Sequence, residues 1–204
     1  MSLDELKDVL PKLPKSDSLS PAEIEAKAEG LGITKTSMSF TQSFVLSMMA
    51  GAFIAMGAMF FLLVSGDPDL AFAVQRVLGG ALFSLGLLLV VVCGAELFTG
   101  NTMIVMTAAS KKISWGAVIK NWIVVFVGNF VGALIIVGLV YLSGMHTMNG
   151  GIVGSTMVSV ASGKMTPDWI TLFAKGIMCN FLVCLAVWIA YAGKTVADKM
   201  LGIL

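Results

Sequence analysis

One run in this chain is too long and too odd to be an ordinary helix. Val77 to Met106 spans 30 residues and is apolar except near its end. As a straight helix it would measure about 45 Å, too long for one crossing without strong tilt. Its oddities cluster in VCGAELFTGNTM, residues 92–103. The simplest solution is one crossing split into two half-helices by a loop near residues 94–102. Irregular backbone at membrane depth is tolerated only where protein covers it or a cavity lines it. Three further runs agree with a bilayer setting. Phe44–Val64 holds 21 residues without a charge, roughly 31 Å of helix. Asn121–Tyr141 does the same, and Trp169–Ala192 carries only Lys175 near its start. The expected fold is an all-α multi-span membrane protein. Its channel domain, 44–204, would contain spans at about 44–64, 73–108 (broken), 121–142 and 169–192.

Composition excludes several function classes. Charged residues make up 12% of the chain and hydrophobic ones 57%, against about 25% charged in a soluble domain. The net charge is +1, and no basic face with interleaved aromatics suggests nucleic acid. Cys93, Cys179 and Cys184 lie in apolar stretches and read as buried thiols. No nucleophile–base pair, metal cluster or phosphate loop stands out, so neither an enzyme nor a cofactor is expected. The first 40 residues lack the apolar core of a cleaved signal peptide.

Lysines set the expected orientation. Lys7, Lys12, Lys15, Lys27 and Lys35 precede the first span; Lys111, Lys112 and Lys120 follow the broken one; Lys194 and Lys199 follow the last. The other two loops carry only Lys164. A multi-pass protein of the cytoplasmic (inner) membrane, with its N-terminus inside, satisfies that pattern. Within the N-terminal segment, residues 1–43, Ser20-Pro21-Ala22-Glu23 is a helix start with Gly30 as its stop, giving a short amphipathic helix. Ile152–Gly163 is too short to span and reads as a folded outer loop or a re-entrant segment.

A bare anion in a low-dielectric interior costs on the order of 20 kcal/mol by an idealised calculation. A path must supply donors and a cation, or neutralise the anion by protonation. A half-helix beginning near Thr99–Thr102 would turn free N–H groups into the membrane, with Thr99, Asn101 and Thr102 as caps and donors. Glu96 has two readings: a proton carrier, or an acceptor of the loop's own N–H groups that holds the break rigid. The second is preferred, because the loop creates unpaired donors there. Phe83 and Leu87 share a helix face, which suits packing as well as a pore. Lys164 is the one cation near the outer mouth, and Asn180 is an amide inside the last span that needs a partner. His146 reads as an exposed loop histidine. Arg76 reads as a snorkelling cation at the outer interface, and Gly128-Asn129-Phe130-Val131-Gly132 as a close helix contact.

Taken together, the segments Gly79-Gly80-Ala81-Leu82-Phe83-Ser84-Leu85-Gly86-Leu87, Cys93 to Asn101, Lys120-Asn121-Trp122, Gly128 to Gly132 and Cys179 to Trp188 closely resemble the formate/nitrite transporter family, from about residue 40 onward. The resemblance implies an aquaporin-like fold of six spans with inverted repeats. It also implies a homopentamer with one pore per subunit, passing small monovalent anions such as formate, nitrite or hydrosulfide. Phe83 matches the family's outer constriction, and Leu87, Leu97, Phe98 and Val183 the inner one. Thr99 matches the polar residue of the split-helix loop. Lys164 and Asn180 match the lysine and asparagine credited with drawing in and holding the anion. The chain departs from the pattern by ending at Gly202-Ile203-Leu204, before a second broken span with a Glu-His motif, so it reads as C-terminally truncated. The expected function is passive or proton-coupled transport of a small monovalent anion, formate or nitrite foremost. A neutral-solute aquaporin-like channel and a non-transporting truncated subunit are the alternatives. The expected partners are that anion, a proton in the coupled case, membrane lipid and further copies of the chain.

Overall fold

The computed structural model describes residues 18–204 and is all helical. Lys7, Lys12 and Lys15 lie outside the described residues. Four helices are long and apolar enough to cross a membrane: α2 (Phe40–Ser65), α3 (Phe72–Cys93), α6 (Trp115–Leu142) and α8 (Trp169–Ala192). Around them lie α1 (Pro21–Ser37), the short α4 (Phe98–Asn101) and α5 (Ile104–Ala109), α7 (Ile152–Met165) and α9 (Val196–Ile203).

The pattern of burial is inverted relative to a soluble protein. The most deeply buried side chains include Glu96, Asn101, Thr107 and Ser47, whereas Phe126, Phe130, Leu134 and Phe181 face outward. With lipid as the outer solvent, large apolar side chains gain little by turning inward. Helices then associate through close packing and internal polar contacts. α2 is the central post and packs on both α3 and α6. Its small residues permit the approach. A Cβ on Gly51 would stand 2.0 Å from the Asn129 carbonyl oxygen, and one on Gly132 would stand 1.9 Å from that of Met48. No side chain fits at either place, so the Gly-x-x-x-Gly of α6 is a backbone-to-backbone contact, as its spacing predicts.

Several local expectations change. Ser20 closes a capping box with Glu23, yet α1 runs through Gly30 to Ser37. Gly30 has open space around it and, with no left-handed turn there, does not stop the helix. α1 is also docked on the bundle. It buries Ile24, Ala28, Glu29 and Gly32 and packs on α5, α6 and α8. α6 begins at Trp115, behind the N-cap Ser114, rather than at Asn121. Ile152–Gly163 falls within the helix α7, about 21 Å long and so too short to span. Cys93 and Cys179 are exposed, and only Cys184 is half-buried, contrary to the buried-thiol reading. α9 went unanticipated; Thr195 and Asp198 form its capping box.

Candidate functional site

The broken span is the centre of the molecule. α3 stops at Cys93 because Gly94 adopts φ +69°, a left-handed conformation that glycine takes without steric penalty. Ala95 to Leu97 carry no helix, and the chain resumes in α4 at Phe98 and, after a turn at Thr102–Met103, in α5. A break at depth must satisfy its backbone, and here other helices do so. The Glu96 N–H donates to the Leu46 carbonyl of α2 (3.2 Å). Asn129 of α6 accepts from the Phe98 N–H at Oδ1 (2.8 Å). Its Nδ2 donates to the carbonyls of Ser47 and Glu96, both at 2.8 Å. One amide thus ties three segments together. Its position between Gly128 and Gly132 marks it in the sequence, but the spacing signals only helix packing.

Glu96 is 2% exposed. It does not accept from the loop's N–H groups, which corrects the preferred sequence reading. Lys35, from the last turn of α1, donates to Glu96 Oε1 (2.7 Å) and to Asn101 Oδ1 (2.9 Å). Asn101 Nδ2 donates to Glu96 Oε2 (2.7 Å) and to Asn121 Oδ1 (3.0 Å). Asn121 Nδ2 returns to the Lys35 carbonyl (3.3 Å), and Trp122 Nε1 donates to the Asn101 carbonyl (3.0 Å). A buried carboxylate is tolerable when a cation and hydrogen bonds compensate it. Lys35 was read only as an orientation signal, because the 61 residues that separate it from Glu96 hide the contact.

Thr99, Asn101 and Thr102 were expected to cap the second half-helix. None does: Leu97 occupies the N-cap of α4 without a side-chain cap. Asn101 belongs to the Glu96 network. Thr102 Oγ1 donates to the Thr99 carbonyl (2.7 Å) and accepts from Asn180 Nδ2 of α8 (3.0 Å). Among the described residues, no protein group accepts from the N–H of Leu97, Thr99 or Gly100.

Beside the break lies a cavity of about 200 Å³. Leu87 and Leu97 line it, together with Lys35, Glu96, Asn101, Val187 and Tyr191. Phe98 and Val183 do not. The Phe98 ring meets Phe126 edge-on at 5.4 Å and Trp122 at 6.2 Å, and the α8 valine at the cavity is Val187, one turn further on. On the other side of the break, Asn180 and Cys184 border a wider hollow with Phe173, Ile177 and Phe181. Phe83 is 38% exposed on α3. Lys164 is exposed in the last turn of α7. His146 is half-buried, not a free loop histidine, and stacks on Tyr141 at 5.0 Å. Arg76 lies over the rings of Phe72 and Phe61. Among the described residues, no group of three metal-ligating side chains forms.

α1 holds this end of the molecule together. The Leu19 N–H donates to the Ala192 carbonyl (3.1 Å) and Lys27 Nζ to that of Tyr191 (2.8 Å), which caps the end of α8. Glu29 pairs with Lys112 beyond α5. That ammonium, with Ser110, holds the Glu29 carboxyl below its usual range.

Comparison with known proteins agrees with this architecture. The model of a family described as formate/nitrite transporter matches residues 22–204. The chain is 40% identical over 184 residues to the formate channel FocA of Escherichia coli K12, across 90% of this chain and 65% of that one. A solved structure described as a pentameric formate channel with formate bound superposes with TM-score 0.76 at 38% identity, over 80% of this chain and 65% of that one. Another, described as an FNT family ion channel, superposes with TM-score 0.80 at 29% identity, over 89% and 73% respectively. The chain therefore spans about two thirds of the length of the relatives it matches. A helix broken at membrane depth, held open by Asn129 and matched along nearly its whole described length, places this multi-pass membrane protein in the formate/nitrite transporter family.

Proposed function

We propose that this chain builds the wall of a pore for a small monovalent anion, formate or nitrite foremost, which crosses passively or together with a proton. The observation that carries the reading is the break itself. A membrane span is opened at depth and pinned by side chains from other helices. The N–H groups of Leu97, Thr99 and Gly100 are left without a protein acceptor. Such donors lower the penalty for negative charge. Leu87 and Leu97 form the apolar slit of the inner side, with Val187 taking the place expected of Val183. Phe83 is the candidate for the outer slit. Lys164 draws anions to the outer mouth, and Thr99 and Asn180 border the passage between. Glu96 is structural, because Lys35 and Asn101 occupy both of its oxygens.

The assembly is a homopentamer, one pore per subunit, in keeping with the pentameric formate channel it resembles. The N-terminus faces the cytoplasm of an inner membrane. Lys27, Lys35 and Lys112 gather at the end where α1 meets α5 and α8, as the positive-inside rule requires. Uptake of formate and nitrite by vesicles containing the protein tests the reading. Rates no greater than the leak of empty vesicles would refute it.

A further inference from the structure

The turn from α5 into α6 is closed by a lysine in an unusual backbone. The Lys111 N–H donates to the Ala108 carbonyl (2.9 Å) and the Lys112 N–H to that of Thr107 (3.0 Å). That pair of bonds is the Schellman ending of a helix, and the residue at its left-handed position is usually glycine. Here it is Lys111, at φ +59°. The left-handed region crowds an L side chain against its own backbone, so the fold holds a cation where glycine would sit without strain. The same turn sends the next lysine inward, where Lys112 pairs with Glu29. Lys111 stays exposed, and among the described residues no carboxylate pairs with it. Lys120, about a turn and a half into α6, is exposed and unpaired in the same way. From residue 97 to 167 the chain carries four lysines and no Asp or Glu, and three of the four are at this end.

The two free lysines frame an apolar face. α6 has 28 residues, about 42 Å of helix against about 30 Å of hydrocarbon, so its first turn lies at headgroup level. Trp115, Ile119 and Ile123 stand on one side of that end, each more than half exposed. The same helix buries Val118, Asn121 and Val125. At 100° per residue the two rows lie about 130° apart round the axis. The exposed row therefore looks away from the break and its cavities. An indole at the boundary with cations beside it suits a phospholipid: the chains meet the isoleucines and the phosphate meets the ammonium groups. We infer that Lys111, Trp115 and Lys120 form a docking site for an anionic phospholipid headgroup, such as phosphatidylglycerol. Charge selects the anionic class. No carboxylate in the stretch offsets the lysines, and a zwitterionic headgroup would bring its own ammonium against them. The site stands whether or not the passage carries an anion.

The test places the full chain in phosphatidylcholine vesicles with a small share of brominated phosphatidylglycerol or brominated phosphatidylcholine. Bromine quenches tryptophan fluorescence at contact, and the difference between wild type and Trp115→Phe isolates the Trp115 signal. Trp115 should be quenched at lower mole fractions of the anionic lipid. Lys111→Gly should cut that preference roughly fivefold, the contribution of one lysine at an anionic surface. Glycine relieves the left-handed backbone, so the melting temperature of this variant should not fall and the loss cannot come from unfolding. Lys111→Asn also tolerates the turn and carries the same expectation, and Lys120→Gln should lose a similar factor. A wild-type preference in both Lys111 variants overturns the inference, as does equal quenching by the two lipids. Quenching by neither lipid would mean that protein, a neighbouring copy included, covers Trp115, and would overturn it as well. Sodium phosphate should weaken the preference no more than sodium chloride of equal ionic strength. Stronger competition by phosphate would assign the lysines to the free ion and overturn the lipid site.

Discussion

The two flanks of the break are built differently. On the α6 side, Asn129, Asn121 and Trp122 converge on it through short hydrogen bonds, joined by the Lys35–Glu96 pair brought by α1. That flank is charged at its centre and its polar groups are paired with one another, even where Lys35, Glu96 and Asn101 border the 200 Å³ cavity. On the α8 side, contact rests on the neutral ring of Asn180, Thr102 and Cys184, next to open space. The contrast separates two tasks. Holding open a helix at membrane depth demands buried, compensated polar groups, since each unmet donor costs several kcal/mol there. Admitting a solute demands the opposite: a wall that leaves some capacity unused.

The contrast breaks first if the paired flank proves dispensable. Lys35→Met removes the cation that faces the Glu96 carboxyl at 2% exposure. A loss of about 3–5 kcal/mol is expected, the usual penalty for orphaning a buried charge. Thermal unfolding in detergent reads it, and the double variant Lys35→Met with Glu96→Gln should recover most of the loss. Asn129→Ala comes next. It frees the Phe98 N–H and two carbonyls, each worth roughly 1–3 kcal/mol when buried unmet. Asn129→Asp can still accept from Phe98 but sets a carboxylate oxygen against the Ser47 and Glu96 carbonyls, so it should melt no higher than the alanine variant. Gly132→Ala drives a methyl group onto the Met48 carbonyl. It should destabilise by about 1–3 kcal/mol through overpacking, with recovery of folded protein on gel filtration as the readout. A wild-type profile would mean that α2 and α6 can move apart.

The smallest effect concerns the α1 anchor. Lys112 lowers the Glu29 carboxyl pKa, so the pair adds stability above the unfolded carboxylate range and loses it as pH falls through the folded value. Hydrogen exchange in residues 21–37 should quicken on acidification in the wild type and vary less with pH in Glu29→Gln. Equal acid sensitivity in both proteins would remove Glu29 from the anchor.

Much of this fold was legible because the bilayer leaves few options. Runs of about twenty apolar residues must be helices, and a 30-residue run containing a glutamate and a Thr-Gly-Asn-Thr loop must break. The Ser20 capping box and the Gly128–Gly132 contact were readable for a similar reason, since each depends on residues three or four apart. The partners of the break were not readable in that way. Glu96 looked like an acceptor for its own loop, yet it is met by Lys35. Thr102 looked like a helix cap, yet it answers to Asn180, 78 positions away. Phe98 and Val183 were assigned to the inner slit by motif, whereas packing sets the Phe98 ring against Phe126 and the α8 valine at the cavity is Val187.

The sequence by itself determined the class, the number of crossings it encodes and the place where one of them fails, because hydrophobic length and local backbone preference are properties of contiguous residues. Only the tertiary structure decided which groups satisfy that failure and which are left free. Hydrogen-bond partners are chosen by distance in space, and a buried donor takes whichever acceptor folding brings within about 3 Å.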